Sequence, residues 1–226
     1  MFNQVNNFFH TFYKKNPTSK EIIIFLNFIK KNLNEFKITK HPLGFIYIEL
    51  AKEDSAIYRL HIWAKDVRYT QEPNWPIHNH IYDIESYLII GKIKQTTYNL
   101  VNAKENPSYP LYKIKYTKKG TIKEKLKEST DLEISDIKIL NTGESYSFPK
   151  ESFHRIDVPN DSLTATLVKS SAINNNNSPI VVATEENKQK NLIYNKDILN
   201  NDLIIQLLTT IIETLKEKKG GGQSPP

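Results

Sequence analysis

From about residue 42 to residue 172 the chain is divided into short stretches of alternating apolar and polar residues. A chain with so many short period-two stretches has few ways to bury its apolar side. Residues 45–50 and 56–64 alternate across a charged turn, Lys52-Glu53-Asp54, and further extended stretches are expected at 86–98, 109–116, 134–140, 145–148, 154–158 and 165–169. Strands this short, separated by polar, glycine- or proline-bearing breaks, stack as two sheets or close on themselves, so the expectation is mainly β structure in one sandwich or barrel. The 12 tyrosines and 10 phenylalanines favour the same class. Residues 117–131, rich in Lys and Glu, read as a solvated excursion with a hairpin at Lys119-Gly120, and the asparagine run at 174–177 reads as a loop.

Helical periodicity is confined to the two ends. Residues 2–15 and 19–36 are expected to be helical, the second capped by Thr18 or Ser19 with Glu21 near the capping-box position. Residues 200–219 carry Leu203, Ile204, Leu207, Leu208, Ile211, Ile212 and Leu215 at helical spacing, a face suited to packing on the barrel. The organisation read from these patterns is a helical extension at 1–40, a barrel at 41–172, a loop and helix at 173–219, and an unstructured glycine-proline tail at 220–226.

Composition removes several classes of function. The 226 residues include no cysteine, which excludes disulfides, thiolate metal sites and a cysteine nucleophile. The net charge of +6 comes almost entirely from lysines interleaved with acidic residues, and Arg59, Arg68 and Arg155 are the only arginines. Nucleic-acid recognition leans on arginine, so it is not expected here. The first residues do not read as a signal peptide, and the apolar runs are too short for a membrane span, so a soluble, cytoplasmic protein is expected.

The histidines carry the chemistry. His78 and His80 stand two residues apart in Trp75-Pro-Ile-His78-Asn-His80, and alternate residues of an extended chain point to one face. About seventy residues later Gly143-Glu-Ser-Tyr-Ser-Phe-Pro149-Lys-Glu-Ser-Phe-His154 delivers a third imidazole after a proline turn. Two donors from one segment and one from a distant strand make a facial metal site with open positions. Read alone, His78 and His80 could be a solvated pair at a strand edge, and His154 a satisfied core residue. His61 alternates with Arg59 and Trp63, which leaves it lining a pocket or lying on the strand surface; His10 and His41 read as plain surface residues.

Taken together, the two histidine segments resemble the paired motifs of the cupins. The first motif runs His78-Asn-His80-Ile-Tyr-Asp-Ile-Glu85-Ser-Tyr-Leu-Ile-Ile-Gly91, and the second keeps the spacing from Gly143 to Pro149 to His154. Glu151 stands where the family has a glycine, and Val158 where it has an asparagine. The resemblance spans about residues 45–170 and implies a single jelly-roll barrel holding a divalent metal on His78, His80 and His154.

The fourth ligand is where the motifs leave alternatives open. Family spacing counted back from Gly91 puts Ile84 at the glutamate position, whereas strand alternation counted from Lys92 and Lys94 turns Glu85 inward. Glu85 is taken as the ligand, with Asp83 behind it. The alternative is a three-histidine site with Glu85 as a buried acid nearby, which resembles the thiol dioxygenases among the cupins. That branch implies ferrous iron, an arginine that holds a substrate carboxylate and a tyrosine that assists. Arg59 and His61 are the substrate-binding candidates, and Glu85, Tyr98 and Tyr146 the catalytic ones. Imidazole donors also suit manganese, nickel or zinc. The resulting expectation is a non-haem iron oxygenase acting on a small molecule, against a non-redox isomerase, lyase or ligand-binding module. A homodimer is a further expectation from the family.

Overall fold

The computed structural model describes residues 2–12, 15–53, 55–68, 70, 72–102, 109–117, 120–172, 177–184, 191–194 and 199–220. Two helices come first, α1 (Phe2–Phe12) and α2 (Ser19–Lys31). Thr18 caps α2: its hydroxyl accepts from the Glu21 amide and the Glu21 carboxylate accepts from the Thr18 amide, the reciprocal capping box expected from the sequence. The helix stops sooner than its apolar pattern, at Asn32, and a single 3-10 turn (Leu33–Glu35) completes the connection.

The strands follow in chain order as β1 (Lys37–Lys40), β2 (Ile46–Lys52), β3 (Ala56–Trp63), β4 (Asp83–Ile90), β5 (Lys92–Asn102), β6 (Tyr109–Thr117), β7 (Gly120–Asn141), β8 (Ser145–Phe148), β9 (Phe153–Asp157), β10 (Thr164–Ser171), β11 (Ile180–Val182) and β12 (Asn191–Tyr194), before the last helix, α3 (Asn201–Gly220). One sheet has the order β1-β2-β3-β10-β4-β8 and the other β11-β6-β7-β5-β9, with β12 also paired to β7. All of these pairings are antiparallel. The architecture is a cupin-like β-sandwich with helices at both ends of the chain.

The first sheet is buried on both faces, and this governs the rest of the molecule. Alternate residues Ile46, Ile48, Leu60 and Ile62 pack against Val5, Phe9, Leu26 and Ile29 of the leading helices and against Ile204, Leu208 and Ile211 of α3. The terminal helices are therefore a lid on one sheet, formed because their apolar stripes meet a sheet face that would otherwise be wet. The other set of alternate residues on β2 and β3, including Tyr47, Arg59, His61 and Trp63, faces into the sandwich.

Several sequence expectations are revised. The single strand expected at 86–98 is two, β4 and β5, joined at Gly91 where the chain passes between sheets. The Lys/Glu-rich stretch belongs to the 22-residue β7, which pairs with β6 along its first half and with β5 along its second. There the hydrogen-bond ladder, and not an apolar pattern, holds the strand. β6 and β7 pair up to Thr117 opposite Gly120, and Lys119 of the hairpin expected there lies outside the described residues. The sheets also run past 41–172 at both ends, because β1 pairs with β2 and β11 with β6. Helix α3 reaches Gly220, while the rest of the expected tail at 221–226 and residues 173–176 of the expected loop region lie outside the described residues.

Gly91 must be glycine for two reasons. Its φ of +96° is open to few other residues, and a Cβ there would stand 2.8 Å from the Thr164 Cα and closer still to the Thr164 hydroxyl. Gly91→Ala should therefore cost about 2–4 kcal/mol, the combined scale of left-handed strain and a backbone clash. Chemical denaturation checks this; an unchanged midpoint would refute the corner geometry.

Candidate metal centre

The three histidines meet because two chain segments lock together through their backbones. His78 lies in an extended stretch between β9 and β11, outside any regular strand. Its amide donates to the His154 carbonyl at 3.1 Å, and the His154 amide donates back at 2.9 Å. Asn79, buried between the two histidines, donates its amide to the Ile180 carbonyl at 3.0 Å and accepts the Ile180 amide on its side-chain oxygen at 2.7 Å. With Asn79 tied to β11, His78 and His80 are both turned to the other side, as the two-residue spacing requires.

The second motif is held to the first by Glu151, whose amide donates to the His80 carbonyl at 2.7 Å. Glu151 has φ +68°, the left-handed region, which gives a physical reason for a glycine at that position of the motif. Its carboxylate accepts from the Asn177 side chain at 2.9 Å.

The rings converge. Centroids of His78 and His80 are 4.7 Å apart, His78 and His154 4.7 Å, and His80 and His154 5.0 Å. One ring nitrogen from each lies within 4.8 Å of the other two. His78 Nδ1 is 2.8 Å from the Pro76 carbonyl oxygen and His154 Nδ1 is 3.0 Å from that of Ser152. A carbonyl only accepts, so both Nδ1 atoms carry the proton and both Nε2 lone pairs are left for a ligand. His154 stacks on Phe148 at 3.7 Å and His80 on Tyr82 at 4.9 Å, which orients both rings.

Burial lowers the pKa of His78, and lowers those of His80 and His154 well below 6.5. Nearby positive charge adds to it: Lys123 at His78, His78, His154 and Arg59 at His80, and His78 at His154. Three neutral imidazoles with two tautomers fixed are the donor set a divalent transition metal requires, and the residues present fit such an ion.

No carboxylate joins them among the described residues. Glu85 points to the other face of β4, where it accepts from the Lys169 ammonium at 3.2 Å. Ile84, not Glu85, lines the cavity that holds the histidines. Alternation counted back from Lys92 fails because Gly91 is a corner, so inward and outward are not conserved across it. Tyr87 and Ile89 are buried like inward residues, but under the terminal helices. Asp83 is also elsewhere; its carboxylate accepts the Lys150 amide at 2.8 Å. Among the described residues, the candidate metal set is three histidines.

The histidines open into a cavity of about 240 Å³ between the sheets. Arg59, His61 and Tyr146 line it; Tyr98 does not, lying in register with Phe153 against a separate cluster around Ile77 and Leu111. His41, expected on the surface, lines the cavity too, its ring on Phe45 at 4.1 Å. Tyr47 and Tyr82 went unread in the sequence. The alternation Phe45-Tyr47-Glu49 beside Arg59-His61-Trp63 marks the first, and its position two residues beyond His80 marks the second.

Arg59 is the most unusual of these groups. It is 6% exposed, and its Nη1 donates to the Tyr82 hydroxyl at 3.4 Å. Its guanidinium also sits 5.3 Å from the Tyr82 ring centre and 5.7 Å from that of Tyr47. Its Nε and Nη2 are buried without a hydrogen-bond partner among the described residues, as is His61 Nε2. Burial holds the Tyr47 phenol up at about 12, so it stays protonated, and burial keeps His61 neutral. Asp157, a carboxylate lining the cavity, is occupied by Arg155 at 2.6 Å.

No family model and no curated protein matches the chain. Solved structures do resemble it. A RmlC-like cupin from Shewanella frigidimarina NCIMB 400 aligns at 12% identity over 63% of this chain and 89% of its own, with a TM-score of 0.36. Hydroxypropylphosphonic acid epoxidase from S. wedmorenis aligns at 16% over 61% of this chain and 56% of its own, TM-score 0.35. The DMSP lyase DddQ from Ruegeria pomeroyi DSS-3 aligns at 14% over 62% and 52%, TM-score 0.35. The chain thus spans little more than half the length of the epoxidase and the lyase. Likeness this distant does not say what the chain binds, and the assignment of fold rests on its own two sheets and three helices. No helix is long and apolar enough to cross a membrane among the described residues.

The lowered histidine pKa values fix the direction of one pH effect. In the unfolded chain these groups take up protons near 6.5, while in the folded metal-free protein they resist it. Stability is therefore full above about pH 7 and is lost as pH falls through 6.5 toward 5. Thermal melts of metal-free protein across this range should show a falling Tm, shallower in His61→Gln; a flat profile would contradict the buried neutral state.

Proposed function

We propose that this protein is a non-haem iron oxygenase of cupin type that acts on a small anionic molecule, with thiol dioxygenation as its reaction. The observation that carries the reading is a three-histidine centre that no carboxylate joins among the described residues, sharing its cavity with a buried guanidinium whose Nε and Nη2 have no hydrogen-bond partner among them. His78, His80 and His154 would hold the metal through Nε2 of His78 and His154 and a ring nitrogen of His80. Iron(II), when bound, supplies open coordination positions and the redox capacity that dioxygen chemistry needs.

The remaining roles belong to the chain's own side chains. Arg59 anchors a substrate carboxylate through Nε and Nη2, recovering the hydrogen bonds those donors lost on burial. Tyr82, between Arg59 and His80, holds the guanidinium beside the centre by its hydroxyl and ring. His61, neutral and with an unpaired Nε2, is available to hold or take a proton from the bound molecule. Burial raises the Tyr146 pKa, so its phenol, which lies beside the Ser86 and Thr166 side chains, stays protonated at the cavity wall. Phe45, Trp63 and Phe148 form aromatic walls that limit water around these groups.

Elemental analysis beside oxygen-uptake assays tests the proposal. The purified protein should hold close to one iron per chain, and His78→Ala/His154→Ala should hold none. Iron-loaded protein should consume oxygen with thiol-bearing small carboxylates, and Arg59→Met should raise KM roughly 10- to 100-fold while retaining iron, the scale of a lost charge-assisted contact. Iron-loaded protein that consumes no oxygen with any thiol tested defeats the oxygenase reading. Turnover that persists anaerobically would instead indicate an isomerase or lyase.

A further inference from the structure

Two rows of side chains run along the cavity from the same end. One is Arg59, His61 and Trp63 on β3; the other is Tyr82, His80, His78, Pro76 and Asn74, alternate residues of the segment that carries two of the metal ligands. Between them Trp75 and Ile77 turn away into separate apolar clusters. The rows start together because Arg59 donates to the Tyr82 hydroxyl. Asn74 closes the second row, roughly 13 Å of extended chain beyond His78.

The unmatched polar atoms change character from one end to the other. At the shared end, Arg59 Nε and Nη2 are donors without a partner among the described residues; at the far end, Asn74 Oδ1 is an acceptor without one. The loop that carries Asn74 also brings a second arginine to the cavity wall, but Arg68 is engaged. Its Nε donates to the Asn160 side chain, Nη1 to the Ala64 carbonyl and Nη2 to the Pro159 carbonyl. An anion is therefore matched at the Arg59 end, and a hydrogen-bond donor at the Asn74 end. Buried polar atoms left unpaired are costly, and a ligand with both groups relieves the cost at both ends.

We infer that Asn74 determines specificity: its carboxamide oxygen accepts a hydrogen bond from a neutral hydroxyl or amide N–H at the far end of a carboxylic acid whose carboxylate sits on Arg59. The inference rests on the anchoring role of Arg59 proposed above, and not on iron or dioxygen. A neutral donor fits because Arg68 keeps its positive charge while giving its hydrogen bonds to neutral acceptors. Asp157, a carboxylate in the same wall, is already paired with Arg155. A ligand ammonium buried against a carboxamide oxygen would lack a counter-ion. The cavity volume of about 240 Å³, the room of roughly eight waters, limits the ligand to a short chain. Held at both ends, such a molecule passes the three histidines with its middle, so the reacting group is internal.

Isothermal titration calorimetry on the protein as purified tests this with ω-hydroxy acids of about four to eight carbons, a range suited to that volume, against the unsubstituted acids of the same lengths. At one length or more the hydroxy acid should bind about 10-fold more tightly, the scale of one buried hydrogen bond, and the ω-amino acid of that length should not. Asn74→Leu should bring hydroxy and unsubstituted acids to equal affinity, and Asn74→Asp should turn the preference toward the ω-amino acid. Equal affinity of the two series at every length in the wild type, or a preference that survives in Asn74→Leu, overturns the inference and leaves the Arg59 anchor standing. Acids that bind at no length, or with affinities unchanged in Arg59→Met, defeat the anchor and this inference with it.

Discussion

The two reciprocal backbone hydrogen bonds between His78 and His154 are the contact on which the candidate site depends. They join a segment with no strand of its own to β9, and so bring together imidazoles that are about seventy residues apart in the chain. Asn79 completes the clamp by occupying both hydrogen-bonding groups of Ile180. The residue between the two histidines is thus the reason they face the same way. The carbonyls of Pro76 and Ser152 then set the tautomers of His78 and His154 from the same two segments. Ring position and ring chemistry are consequences of one local backbone arrangement.

Around that clamp the molecule pairs an expensive feature with a supporting one. A guanidinium buried without an acid is costly. Tyr47 and Tyr82 lessen the cost through their rings and the Tyr82 hydroxyl, without satisfying Nε or Nη2. The strand carrying Arg59 sits in the middle of a six-stranded sheet whose other face is sealed by three helices. A well-packed support of this kind can hold a polar group that is matched only when a ligand arrives. Terminal helices that touch no part of the cavity contribute to function by keeping its floor rigid.

Much of this was legible in the sequence. The strand class, the helical ends, the Thr18-Glu21 capping box and the histidine set all follow from local patterns: period two, period 3.6, a cap spacing and a two-residue histidine spacing. Glu85 was misread because the count ran through Gly91. A residue with φ +96° at a corner between sheets resets which side is inward, and no alternation rule survives it. Burial gave no warning, since Tyr87 and Ile89 are as buried beneath the helices as Ser86 and Leu88 are toward the sandwich.

By itself, then, the sequence determined what depends on neighbours along the chain: which segments extend, which coil, where glycine is required and which side chains can ligate a metal. Tertiary structure alone decided which of those side chains share a cavity. It separated Tyr98 from Tyr146, brought His41 and Tyr82 to the site and left Arg59 without an acid among the described residues. The physical reason is that facing and pairing are set by contacts between segments distant in the chain, where a single corner, a covering helix or a missing neighbour strand reverses the outcome for every residue beyond it.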